Sequence, residues 1–155
     1  KGPQKYESEW RKLCQGLKVE KNVTFTGWVD FRLVPSYIEL SDICLVPHNA
    51  SGHTNTTVPH KLFQYMALKK PIIVTDCPPL KRIIEETNSG MVVPSGDFAE
   101  IAKSVLVLYR NPEVSKLMGE HGREAVEKTY NWEKETKKLC EIYGSIQNEH
   151  YSKIN

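Results

Sequence analysis

The sequence predicts an α/β domain built on a parallel sheet with helices on both faces. Short apolar runs of strand length, at residues 43–47, 71–75 and 90–94, alternate with stretches in which apolar residues recur every three or four positions. The run Ile43-Cys44-Leu45-Val46-Pro47 is continuously apolar, the pattern of a strand buried on both faces, which is the habit of parallel sheets. A chain of 155 residues that is 39% hydrophobic is long enough to bury the core such a sheet needs and fits one globular domain.

The elements follow in order. Residues 4–17 place Tyr6, Trp10, Leu13, Cys14 and Leu17 on one helical stripe, which predicts a first helix with that stripe buried. Val23-Thr24-Phe25-Thr26-Gly27 is β-branched and aromatic and ends in glycine, as a strand does. A short helix is expected over residues 35–40, then the apolar strand at 43–47 and a polar loop at 48–57. Residues 58–68 read as a helix with Pro59 in its first turn, where a missing N–H costs nothing. A strand at 71–75, a short helix at 79–86 and a last strand at 90–94 come next, and the chain from Asp97 onward reads as three helices.

Composition narrows the function classes. The formal charge is only +2, with both signs interspersed, so no broad field for nucleic acid is implied and the expected partner is small. Cys14, Cys44, Cys77 and Cys140 are far apart and form no Cys-x-x-Cys pair, which predicts reduced thiols and a cytoplasmic protein. No run approaches the roughly 18 apolar residues of a membrane span. The opening Lys1-Gly2-Pro3 lacks a methionine and reads as a turn leaving an earlier strand, so an upstream region is expected.

Parallel α/β sheets bind ligands beyond the carboxyl ends of their strands. Here those loops are Gly27-Trp28-Val29, the stretch from His48 to Thr57, and Asp76-Cys77-Pro78-Pro79. The second is the most suggestive: hydroxyls at Ser51, Thr54, Thr56 and Thr57 lead into a helix whose first free N–H groups are expected at His60, Lys61 and Leu62. Unpaired N–H groups and the helix dipole favour an anion, and Lys61 adds a full charge, so a diphosphate suits this place. The plainer alternative is that Thr56 or Thr57 simply caps the helix. His48, His53 and His60 are close in sequence, but their irregular spacing and lack of a cysteine or carboxylate partner favour solvated or phosphate-facing roles over a metal.

The run Pro59-His60-Lys61-Leu62-Phe63-Gln64-Tyr65-Met66-Ala67, followed by Lys70-Pro71-Ile72-Ile73-Val74-Thr75-Asp76, resembles the donor-site segment of family 4 (group 1) glycosyltransferases. Phe25-Thr26-Gly27, Asp42-Ile43-Cys44-Leu45-Val46-Pro47, Gly90-Met91-Val92-Val93-Pro94-Ser95-Gly96-Asp97 and Trp132-Glu133 resemble further motifs of the same family, in the same order. The resemblance implies the Rossmann-like C-terminal half of a GT-B fold, which binds a nucleotide-diphosphate sugar donor. It implies glycosyl transfer, hexosyltransferase in type, to a hydroxyl of a glycan or lipid-linked acceptor, in surface polysaccharide or glycan synthesis. Nucleotide-sugar contacts are expected from Gly27, Trp28, His48, Thr56, Thr57, His60, Lys61 and Gln64. Trp28 is equally compatible with the role of a packed core or surface aromatic.

Three departures from the family pattern stand out. Its glutamate pair, spaced with seven residues between, falls on Thr56 and Gln64, of which Gln64 keeps an amide oxygen able to accept from a ribose hydroxyl. The glycine pair after Thr-Asp is Pro78-Pro79, which removes two backbone donors, and Arg82 stands where glutamate is usual. No Asp-x-Asp motif is present, so no metal and no cofactor beyond the donor substrate are expected, and no catalytic residue is identifiable. The resemblance also implies that residues 1–155 are one partial donor-binding domain, with an acceptor domain and a diphosphate-gripping strand, helix and strand lying outside the chain, which alone should transfer no sugar. Membrane contact would come only through those outside regions. The strands so displaced belong between 23–27 and 43–47, and an upstream segment, direct pairing of the two flanking strands, or another chain could fill their place. A nucleotide-sugar epimerase of the same plan and a non-catalytic nucleotide-binding or scaffold domain are the other readings.

Overall fold

A computed structural model describes residues 4–152, with side chains from Tyr6 to Ile146. The chain divides into two compact units, Lys1–Tyr37 and Ile38–Asn155.

In the N-terminal unit the first helix, α1 (Gln4–Gly16), forms where its spacing predicts. It leaves through Lys18 in the left-handed conformation, with the Val19 N–H returning to the Cys14 carbonyl at 2.9 Å, a usual way to satisfy the last carbonyls of a helix. The predicted stripe is on one side of α1 but is not buried: Trp10 is 56% and Leu13 59% exposed. Tyr6 stacks on Trp10 with ring centroids 6.4 Å apart, and Arg11, paired with Glu7, lies 4.6 Å over the Phe25 ring. Residues 23–27 form no strand, against expectation. A strand is stabilised by a neighbour that takes its N–H and C=O groups, and residues 4–37 offer none. One of the expected ways of completing the sheet, direct pairing of this segment, therefore does not arise. Helix α2 (Val34–Glu39) follows a short 3-10 turn at Phe31–Leu33, capped by Asp30, whose carboxylate accepts from the Arg32 N–H at 2.9 Å.

The second unit holds the sheet. Three parallel strands, β1 (Cys44–Val46), β2 (Ile72–Thr75) and β3 (Gly90–Val93), lie in the order β1-β2-β3. Register pairs Cys44 with Ile72 and Ile72 with Gly90. Alternation then sends Val46, Ile72, Val74 and Val92 to one face, where they meet Leu62, Met66, Leu80, Ile83 and Ile84. Ile73, Met91 and Val93 go to the other and meet Ile101, Val105 and Leu108. The first face is covered by α3 (His60–Ala67), α4 (Pro78–Thr87) and α6 (Pro112–Lys128), the second by α5 (Phe98–Arg110). Every residue of β2 is buried, as its apolar run predicts. β1 differs from prediction: Leu45 is 38% exposed, and β1 is an edge strand of the described sheet. A last helix, α7 (Trp132–Ser152), carries exposed Leu139, Ile142 and Tyr143.

Helix boundaries follow local chemistry. Pro59 is extended (φ −72°, ψ 136°) and acts as the residue before α3, so the helix starts at His60 rather than at Val58. α4 begins with Pro78 and Pro79 and stops at left-handed Asn88; Asp97 caps α5 by accepting from the Glu100 N–H at 2.9 Å.

Two glycines set close approaches. A Cβ at Gly90 would lie 1.9 Å from the Ile72 carbonyl oxygen, and one at Gly119 would lie 2.0 Å from that of Lys69. Gly119 and Gly122 let α6 sit directly against the end of α3, where Arg123 donates to the Ala67 carbonyl at 2.8 Å. Adding a methyl at Gly119 sets helix propensity against packing. Gly119→Ala should lower the free energy of unfolding by about 1–3 kcal/mol, because the backbone must move apart. Gly144→Ala on α7 has open space around it and should change stability by no more than ~1 kcal/mol, in the stabilising direction. Urea denaturation of both variants checks this; equal midpoints would mean the α3–α6 contact is not close.

Candidate functional site

The sheet delivers three chain segments to one end. Beyond Val46 the chain runs into residues 47–59, beyond Thr75 into Asp76 and Cys77, and beyond Val93 into residues 94–97. Parallel pairing in register means that all three leave the sheet at the same end, and hydrogen bonds weld them together. The His48 carbonyl accepts from Thr75 Oγ1 at 2.6 Å and from Ser95 Oγ at 3.3 Å, and the Cys77 thiol approaches it at 3.8 Å. Ser95 Oγ in turn accepts from the Ala50 N–H at 3.0 Å, and the Ser95 N–H donates to Asp76 Oδ1 at 2.8 Å.

The loop from residue 49 to 57 is closed by its own hydroxyls. Ser51 and Thr54 exchange hydrogen bonds through Oγ, Oγ1 and their N–H groups at 2.9–3.1 Å, and Thr54 Oγ1 reaches the Asn49 carbonyl at 2.8 Å. Thr56 and Thr57 donate their hydroxyls back to His53 O at 3.1 and 2.9 Å. Neither caps α3, whose start has no side-chain cap at all. The Leu62 N–H, expected to be free, returns to the Pro59 carbonyl at 3.0 Å, which leaves the N–H groups of His60 and Lys61 at the helix start.

His48 sits where these features meet. It is half-buried, and its Nδ1 is enclosed with no hydrogen-bond partner among the described residues. Burial holds its pKa below the usual imidazole value, and the charges of Lys61 and then His53 push it the same way. The ring is therefore neutral at pH 7, with one nitrogen to donate and one to accept. Lys61 brings a positive charge to this mouth. On α3, Leu62 and Met66 enter the core while His60 and Gln64, one turn apart, lie on the opposite side, His60 exposed and Gln64 half-buried. His48, Thr56, Thr57, His60, Lys61 and Gln64 thus fall in one unit, on one loop and the helix it enters. Gly27 and Trp28 belong to the N-terminal unit; Gly27 is left-handed at φ 63° and the Trp28 side chain is 82% exposed, so of its two plainer roles the surface aromatic fits and the packed one does not.

The sequence reading placed Asp76 in a strand-end loop without giving its carboxylate a role, and missed Thr75 and Ser95 as parts of this mouth. Their signal was position, since all three stand at strand carboxyl ends. Cys44, elsewhere in the sheet, is buried and its thiol is pushed up to about 11 by burial against the opposing Lys70 charge, so it is inert at neutral pH. Among the described residues no three His, Cys, Asp or Glu side chains converge, and no helix is long and apolar enough to cross a membrane.

Known proteins place this arrangement. Residues 1–111 match the family described as glycosyl transferases group 1. The chain is 26% identical over 145 residues to an alpha-D-kanosaminyltransferase of Streptomyces kanamyceticus, covering 94% of this chain and 36% of that protein. It is 26% identical over 140 residues to a phosphatidyl-myo-inositol mannosyltransferase of Mycobacterium leprae, covering 90% and 36%. It spans about a third of the length of these relatives. Among solved structures, Anabaena HepE in complex with UDP superposes with a TM-score of 0.83 at 15% identity, covering 93% of this chain and 38% of that one. Sucrose-phosphate synthase from Thermosynechococcus elongatus superposes with a TM-score of 0.81 at 22% identity, covering 92% and 34%. The parallel sheet flanked by helices is that of GT-B glycosyltransferases, and the chain belongs to the group 1 glycosyl transferases.

Proposed function

We propose that this chain holds the nucleotide-diphosphate sugar donor of a glycosyltransferase, with the diphosphate at the start of α3 and beside His48. The observation that carries the reading is the α3 N-terminus, free of any side-chain cap, with Lys61 in its first turn and the half-buried His48 ring within reach of the Lys61 charge. The N–H groups of His60 and Lys61 and the Lys61 ammonium would receive the diphosphate oxygens. His48, neutral and hydrogen-bonding through its ring, would donate to a phosphoryl oxygen without adding a charge that must be desolvated. The same donors stabilise the diphosphate as it leaves and gathers charge, which accelerates sugar departure without a metal. Gln64, a turn further along α3, would accept from a ribose hydroxyl. On this reading the sugar passes to a hydroxyl of a glycan or lipid-linked acceptor, in surface polysaccharide or glycan synthesis, and the reaction takes place in the cytoplasm. The acceptor would meet the donor through parts of the enzyme outside this chain, which by itself would transfer no sugar.

Lys61→Ala should weaken binding of UDP or GDP more than binding of the corresponding nucleoside, and should flatten the salt dependence of nucleotide affinity. Calorimetric titration with nucleoside and diphosphate at two salt concentrations reads both. Equal losses for the two ligands would make Lys61 an ordinary surface lysine.

Gln64→Ala should cost roughly 0.5–1.5 kcal/mol of nucleotide affinity, the net worth of a neutral hydrogen bond. Gln64→Glu should bind at least as well as the parent, since a charged acceptor strengthens the same contact. A folded glutamate variant no better than the alanine one would take Gln64 out of the site.

A further inference from the structure

The His48 carbonyl is the one acceptor on which all three strand-end segments converge. Thr75, 2% exposed at the end of β2, gives its hydroxyl to it at 2.6 Å. Ser95, beyond β3, gives its hydroxyl at 3.3 Å while accepting from the Ala50 N–H two residues after His48. Ser95 is itself fixed from the β2 side, because its N–H donates to Asp76 Oδ1 at 2.8 Å. A carbonyl oxygen has two lone pairs, and Thr75 and Ser95 occupy them with side chains from two different strands. The peptide after His48 is thus pinned on both sides, which fixes the backbone from which its side chain leaves. Its Nδ1 is enclosed without a partner among the described residues, so Nε2, the outer ring nitrogen, is the one a ligand can reach.

We propose that Thr75 and Ser95 are positioning residues that lock the His48 backbone so that its imidazole is held ready for a phosphoryl oxygen of the donor. The inference rests on the reading of the mouth given above. Neither residue touches the ligand; each acts through His48. A hydroxyl that only stabilised the fold would change the melting temperature and nothing else, whereas a positioning hydroxyl sets the environment of one ring.

The test uses the full chain and four variants, with UDP and GDP as probes. Thr75→Val keeps the shape of the buried side chain and removes its hydroxyl; Ser95→Ala removes the second donor at a less buried position. In the nucleotide-free protein both should shift the His48 ring signals in NMR while those of His60 and His121 hold. Both should raise the Kd of the nucleotide that the parent binds by roughly three- to tenfold, the loss of about one hydrogen bond. Thr75→Ser and Ser95→Thr, which keep the hydroxyl, should restore ring signals and affinity together. An unmoved His48 ring in both deletion variants overturns the proposal, as does a moved ring with unchanged Kd or a loss that the hydroxyl-retaining variants fail to restore. If the parent binds neither nucleotide, the reading of the mouth falls and the positioning role with it; if the parent binds and the ring is unmoved, only the positioning role falls.

Discussion

The second unit depends on β2. Its residues, Ile72 to Thr75, are buried to the last, taking backbone hydrogen bonds from β1 on one side and β3 on the other and apolar contact from helices above and below. Burial on both faces is why this strand contains nothing but apolar side chains until Thr75, where the sheet ends and polarity becomes useful. Because both partners run parallel to it, the carboxyl ends of three strands are delivered to the same side, and the chemistry of the mouth follows from that geometry. The close contacts behind it serve the same end. Gly90 brings β3 up to the Ile72 carbonyl, and Gly119 brings α6 onto the end of α3, so that the helix whose N-terminus faces the mouth is held from behind by direct backbone contact.

Much of this was legible because it is local. Continuous apolar runs give strands, prolines and Asp97 mark helix starts, and left-handed Asn88 marks an end; each signal acts within a few residues. What failed was non-local. Residues 23–27 have the composition of a strand, but a strand exists only with a partner, and none is supplied within residues 4–37. The same limit applies to α1, whose stripe has the right spacing and no burial. β1 carries the composition of a central strand and occupies an edge of the described sheet, and Leu45 is left partly in solvent.

In the candidate site the division is similar. Lys61, His60 and Gln64 were readable as neighbours because helical spacing fixes them relative to one another. The roles of Thr75 and Ser95 were not, since their bonds to the His48 carbonyl span 27 and 47 residues of sequence. Thr56 and Thr57, whose hydroxyls the sequence offers as ligand contacts, give their hydrogens in the fold to the loop's own carbonyls. They shape the approach to α3.

The departures from the family's usual residues can then be weighed by what each leaves behind. Pro78 and Pro79 open α4 at the end of β2 and donate no N–H, so the α4 N-terminus offers an anion little. Asp76, next to it, spends an oxygen on the Ser95 N–H. Anion-binding capacity on this side of the sheet is thereby concentrated at the start of α3, where two free N–H groups and Lys61 coincide. Placing Thr56 rather than a carboxylate close to that point removes a negative charge from a mouth proposed to receive a diphosphate, and Gln64 rather than glutamate removes another. Coulomb repulsion between a carboxylate and a diphosphate is strong at short range in a partly buried site. On the proposed reading, the loss of the two carboxylates weakens individual contacts to sugar and ribose but makes the mouth more favourable to the diphosphate itself. The binding energy would shift from the sugar toward the phosphates, with His48 held in place by Thr75 and Ser95 as the neutral donor between them.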